Sequence, residues 1–141
     1  MSVTVYRILI VDDDVVERFV LRGAFETHSY TVDECGNAEE ALDICKSDRP
    51  SLVVTDLMLP GASGHDLARS LRARFPTSDM PIVIITGSHS ADGWDRAIEA
   101  GAQAMVLKTS DLTPIIQTVD RLLGAGESGN VATIRMRPPR R

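Results

Sequence analysis

The chain has no apolar run long enough to cross a membrane or to act as a secretory leader. Near the N-terminus the run Ile8–Val11 stops at Asp12-Asp13-Asp14, whereas a spanning helix needs about 20 apolar residues and a leader core about 7–15. Cysteine is scarce. Cys35 and Cys45 sit in apolar contexts without metal-ligand spacing, which argues against a zinc site or a disulfide and for packed, reduced thiols in the cytoplasm. The three histidines, His28, His65 and His89, show no i, i+4 pairing and no neighbouring cysteine, so no histidine metal centre is expected. No internal repeat is present. Positive charge is also in deficit over most of the chain: residues 1–123 carry 11 Lys/Arg against 19 Asp/Glu, a net −8, whereas 124–141 carry four arginines against Glu127. An acidic body is poorly suited to nucleic acid, which is held by basic groups neutralising phosphates, and better suited to a cation.

What is present is an alternation of short apolar runs with amphipathic segments. The pattern predicts strands near Arg7–Val11, Tyr30–Cys35, Leu52–Thr55, Ile82–Thr86 and Ala104–Leu107, each followed by a helix: near Asp14–Thr27, Ala38–Ser47, Gly64–Phe75, Asp92–Ala100 and Leu112–Leu123. Asn37 with Glu40 reads as a capping-box variant, Asp111 as the cap of the last helix, and Gly101 and Gly124 as helix stops. Trp94, near the start of the fourth helix, is expected as a partly exposed surface aromatic. Five strand–helix units at this spacing require right-handed crossovers and a parallel sheet covered on both faces. At 141 residues the chain suits one α/β domain over 1–123, and the Gly- and Arg/Pro-rich 124–141 reads as a disordered basic tail or linker.

Two of these strands run straight into acids. Ile8–Val11 ends in Asp12 and Asp13, and Leu52–Thr55 ends in Asp56 before a Pro60-Gly61 turn. Parallel strands put their carboxyl ends on one edge, where open α/β sheets bind ligands. The fourth and fifth strands bring Thr86 and Lys108 to the same edge. Three carboxylates together repel one another unless a cation intervenes, and a hard divalent ion such as Mg²⁺ prefers such oxygen donors. Lys108 and Thr86 would then hold the oxygens of a phosphoryl group while Asp56 attacks phosphorus, a reaction in which positioning and charge neutralisation do most of the catalysis.

The motifs Ile8-Leu9-Ile10-Val11-Asp12-Asp13-Asp14, Asp56-Leu57-Met58-Leu59-Pro60-Gly61 closing in Gly64, Ile84-Ile85-Thr86-Gly87, and Gly101-Ala102 leading to Lys108 together resemble the receiver domain of bacterial two-component response regulators, over about residues 5–123. The resemblance implies a flavodoxin-like five-stranded sheet in the order 2-1-3-4-5, for which a chemotaxis receiver of this family is a standing example. It implies Asp56 as phosphoacceptor, Asp12 and Asp13 with the backbone carbonyl of Met58 as Mg²⁺ ligands, and Thr86 and Lys108 as readers of the phosphoryl group. It implies a sensor histidine kinase or histidine phosphotransfer protein as donor, and an effector engaged by the surface of the fourth helix, fifth strand and fifth helix. Two positions depart from the family's pattern. Thr109 follows the lysine where proline, preceded by a cis peptide, is usual, and Met105 stands where an aromatic switch residue is usual.

Those departures motivate a second reading, a receiver-like interaction module that is never phosphorylated; the complete acid set opposes it. An aspartyl-phosphate phosphohydrolase is a third, opposed by Leu57-Met58-Leu59, which offer no second acid after the nucleophile. The favoured expectation is a phosphorylation-dependent switch that catalyses only its own phosphorylation and dephosphorylation.

Overall fold

The computed structural model describes residues 5–88 and 93–124. Five strands alternate with five helices: β1 Arg7–Val11, α1 Val15–Thr27, β2 Thr31–Cys35, α2 Ala38–Ser47, β3 Leu52–Asp56, α3 Gly64–Arg72, β4 Ile82–Thr86, α4 Gly93–Ala100, β5 Ala104–Leu107 and α5 Thr113–Leu123. All strand pairs are parallel, in the order β2-β1-β3-β4-β5. The expected fold and strand order are both present. Residue 124 closes α5 as a left-handed glycine, and the remainder of the expected tail lies outside the described residues.

Period-two alternation along the strands builds two cores. Leu9, Val11, Val53, Ile82 and Ile84 face one side and pack against Ala41, Leu67, Leu71 and Ala97 of α2, α3 and α4. Ile8, Ile10, Val54, Val83 and Ile85 face the other, against Leu21, Phe25, Ile115 and Val119 of α1 and α5. β3 and β4 are buried at every position, as central strands covered on both faces must be. Cys35 and Cys45 are free and buried, and burial pushes both thiols up to about 11, so they are packing groups rather than nucleophiles. Among the described residues no helix is long and apolar enough to cross a membrane.

Three local expectations need correction. Trp94 is 8% exposed and belongs to the core against β5 and α5. Its spacing with Ala97 and Ala100 puts all three on the buried side of α4, and burying an indole outweighs leaving its N–H without a partner. The last helix has Leu112 at its cap position with no side-chain cap bond; Asp111, one residue earlier, still accepts the Thr113 N–H at 3.0 Å. α3 ends at Arg72 rather than Phe75, because the chain tightens into an Arg74 N–H to Leu71 carbonyl bond ahead of Pro76, whose ring disfavours helical backbone in the preceding residue. Asp92 and His89 lie outside the described residues.

Candidate functional site

Strand register fixes where the acids meet. Val11 of β1 is level with Thr55 of β3, so Asp12 and Asp56, one residue further along each strand, leave the sheet side by side. β3 extends through Asp56, paired with Ile85 of β4, and Thr86 is level with Leu107. Lys108 follows, its N–H bound to the Thr86 carbonyl at 2.6 Å. Every described peptide is trans, including that between Lys108 and Thr109.

Oxygens of Asp12, Asp13 and Asp56 lie within 4.8 Å of one another. Asp12 is fully buried and Asp56 is 9% exposed, while Asp13 faces solvent. Lys108 Nζ lies 3.3 Å from Asp56 Oδ2 and 3.5 Å from Asp12 Oδ2, and it also pairs with Glu17 of α1. Asp12 Oδ1 accepts the Asp14 N–H at 2.9 Å. Burial pushes the Asp12 carboxyl up to about 6; the Asp14 bond and Lys108 pull it back, and Asp56 and Glu17 add repulsion. Burial opposes the Lys108 charge, but Glu17, Asp56 and Asp12 together hold the ammonium above the usual lysine range. A buried carboxylate that takes up a proton near pH 6 is short of positive charge. That shortage, with an all-oxygen donor set, fits a hard divalent cation.

The loop after Asp56 is shaped to leave this corner open. The Met58 N–H lies 3.4 Å from Asp56 Oδ1, and Met58 bridges to Ser63, which caps α3 in a reciprocal box with Asp66. At Gly64 the backbone passes so close that an added Cβ would lie 2.6 Å from the Asp56 carbonyl oxygen. Only glycine fits there without moving the strand end.

The structure thus brings Asp12, Asp13, Asp56 and Lys108 together, with Met58 adjoining. Thr86 is buried at the neighbouring strand end, but its hydroxyl bonds locally, donating to the Ser88 carbonyl (3.1 Å) and accepting the Ser88 N–H (3.3 Å). Met105 is half-buried and packs between the two cores. Sequence reasoning missed Glu17, whose partner lies 91 residues away. It also missed an apolar surface on α1, where Val15, Val16, Phe19 and Val20 are 49–74% exposed beside the acids; the mixture of apolar and acidic residues after Asp14 was its only signal.

The model of the response regulator receiver domain matches residues 8–120. The chain is 36% identical over 129 residues to response regulator MprA of Mycolicibacterium vanbaalenii, covering 86% of this chain and 55% of that protein. It is 34% identical over 124 residues to the phosphate regulon transcriptional regulatory protein PhoB of Pseudomonas aeruginosa, covering 86% and 54%. It therefore spans about half the length of the curated relatives it matches. Among solved structures it is similar to a LuxR-family two-component response regulator from an Aurantimonas species (TM-score 0.80, 32% identity, 86% of each chain). It is also similar to the beryllofluoride-activated receiver domain of Klebsiella pneumoniae RstA (TM-score 0.76, 27% identity, 83% of this chain and 97% of that one). The chemotaxis regulator CheY4 of Vibrio cholerae shares the fold (TM-score 0.79, 22% identity, 85% and 100%).

Proposed function

The chain belongs to the response regulator receiver family, and from that premise we propose that it is a phosphorylation-dependent signalling switch in which Asp56 is the phosphoacceptor. The observation that carries this reading is the placement of Lys108 Nζ 3.3 Å from Asp56 and 3.5 Å from Asp12, with Asp13 completing a carboxylate trio. Asp12, Asp13 and Asp56, with the Met58 backbone carbonyl, would hold Mg²⁺, which when bound neutralises carboxylate and phosphoryl charge. Asp56 forms a bond to phosphorus as the donor's bond to phosphorus breaks, and the donor leaves with the electron pair. Lys108 supplies a fixed positive charge to the phosphoryl oxygens. The Thr86 hydroxyl exchanges Ser88 for one of those oxygens, which biases the α4–β5–α5 surface, including Met105, toward an effector; the switch is a population shift.

The donor is a phosphohistidine on a sensor kinase or phosphotransfer protein, and the exposed apolar residues of α1 beside the acids support docking there. The receiver unit runs through residue 123, acts in the cytoplasm, contacts no nucleic acid itself, and turns over no substrate beyond its own acyl phosphate. The assembled trio and lysine disfavour a module that has lost phosphorylation.

The test is intact mass after incubation with acetyl phosphate and Mg²⁺. Wild type should gain one phosphoryl group, and Asp56→Asn should gain none while keeping its melting temperature. Full labelling of the variant would refute the assignment.

A further inference from the structure

Three helices of this chain begin with a polar cap and an acid three residues later, yet they use that acid differently. In α3, Asp66 reaches back to the Ser63 N–H at 3.2 Å and closes a capping box. In α2, Glu40 reaches back to the Gly36 N–H at 3.1 Å. In α1 the N-cap is Asp14 and the corresponding acid is Glu17, but the Asp14 N–H is already taken by Asp12 Oδ1. The donor that the acid of α3 uses is thus already filled in α1, and the Glu17 carboxylate turns to the Lys108 ammonium instead.

We propose that Glu17 is a positioning residue that restrains phosphoryl uptake by holding Lys108 in a resting ion pair. The inference rests on the phosphoacceptor reading of Asp56. Lys108 has three carboxylate partners, and Glu17 is the one outside the acid trio. When the phosphoryl group arrives, its oxygens compete with Glu17 for the same ammonium, so part of the interaction energy of Lys108 with the transition state replaces an existing pair instead of adding to it. The exchange needs little movement, since Lys108 Nζ already lies 3.3 Å from Asp56 Oδ2. Glu17 and Lys108 both border a mostly apolar cavity of about 420 Å³, walled by Val16, Val20, Leu21 and Ile115, and the Glu17 side chain is 40% exposed, so water can take over its carboxylate when Lys108 leaves.

Two substitutions separate a clamp from simple charge repulsion. Glu17→Gln removes both the clamp and the negative charge; Glu17→Asp keeps the charge but is one methylene too short to hold the pair. Initial rates of labelling by acetyl phosphate with saturating Mg²⁺ should rise about two- to fivefold in both variants, the range that a partly exposed ion pair supplies, and beryllofluoride affinity should rise by the same factor. Mg²⁺ affinity of Glu17→Asp should stay at the wild-type value, which a general disturbance of the site would not allow. Glu17→Asp labelling at the wild-type rate while Glu17→Gln is faster would reduce the effect to repulsion and overturn the clamp. Unchanged or slower labelling in both variants would also overturn it. No labelling of wild type or either variant would overturn the phosphoacceptor reading and this inference together, whereas wild-type labelling with unresponsive variants overturns this inference alone.

Discussion

The acid corner and the β4–α4–β5 flank lie on the same edge of one sheet, but they are held by different forces. In the corner nearly every polar atom is committed to a charged or directional partner: Lys108 to three carboxylates, Asp12 to the Asp14 N–H, and Asp56 to the turn at Met58. On the flank, the Thr86 hydroxyl bonds within its own loop, Met105 is a flexible thioether between two cores, and Trp94 is buried with its N–H unpartnered. Directional charged contacts tolerate little displacement, whereas packing of flexible apolar groups yields gradually. The corner should therefore respond to small chemical changes with large effects, and the flank with small ones.

The largest effect should come from the proton on Asp12. Its folded-state value of about 6 lies above the unfolded carboxyl at 3.8, so the folded protein keeps a proton that the unfolded chain has released. Without metal, stability is therefore highest at low pH with respect to this group and falls as pH rises from about 4 to about 6. The loss is about 3 kcal/mol if the whole rise is expressed. His65 works in the opposite direction as pH rises toward its ordinary value, because burial and the nearby Arg96 and Arg69 hold it below that value. The difference between wild type and Asp12→Asn isolates the Asp12 contribution. Urea unfolding in chelator at pH 4.5 and pH 7 should show the variant gaining on wild type at the higher pH, and Mg²⁺ should erase the gain. Parallel pH curves for the two proteins would show that Asp12 is already ionised in the fold.

Gly64→Ala comes next, since the new methyl would sit 2.6 Å from the Asp56 carbonyl and 3.1 Å from Leu57 Cα, both rigid backbone. Overpacking of this kind costs about 1–3 kcal/mol, and the displaced strand end should slow labelling of Asp56 as well. A melting temperature within a degree of wild type would mean that the turn relaxes freely. Asp13→Asn is milder: Asp13 is exposed and holds no protein partner in the corner, so the fold should be unchanged and Mg²⁺ affinity should fall about tenfold, or about 1.4 kcal/mol. The fluorescence of Trp94, the single tryptophan, gives the titration. Unchanged affinity would remove Asp13 from the metal site.

The same division governs what the sequence discloses. Strand ends are legible because apolar runs stop abruptly at acids or turns: β1, β4 and β5 have the bounds their patterns predict and β3 runs one residue further, through Asp56, and those four ends place Asp12, Asp56, Thr86 and Lys108 on one edge. Order 2-1-3-4-5 follows from family likeness, since strand spacing alone is compatible with other parallel orders. Trp94 illustrates an error of method, because its type suggests a surface aromatic while its spacing with Ala97 and Ala100 marks a core position. Glu17 lies beyond sequence reasoning for a physical reason. The local pattern Asp14-x-x-Glu17 predicts a capping box, but the Asp12 side chain fills the Asp14 N–H locally, and only the folded sheet edge brings in the lysine 91 residues away that Glu17 pairs with.

Met105→Tyr tests the flank and should have the smallest effect of the series. On the proposed switch, Thr86 moving toward a phosphoryl group would open space beside β5, and a thioether with three rotatable bonds would fill that space by graded repacking. A tyrosine ring has fewer, stiffer rotamers and a hydroxyl that resists burial without a partner, so it would move between an exposed and a buried position in one step. Amide chemical-shift changes on adding beryllofluoride and Mg²⁺ should therefore be modest over residues 104–107 in wild type and larger in the variant, with little change in labelling rate, because Met105 packs in the apolar clusters. Shift changes in wild type equal to or greater than those of the variant would show that methionine switches as discretely as an aromatic. In that case the flank, like the corner, would have two defined states rather than a continuum, and the contrast between the two regions would rest on charge alone.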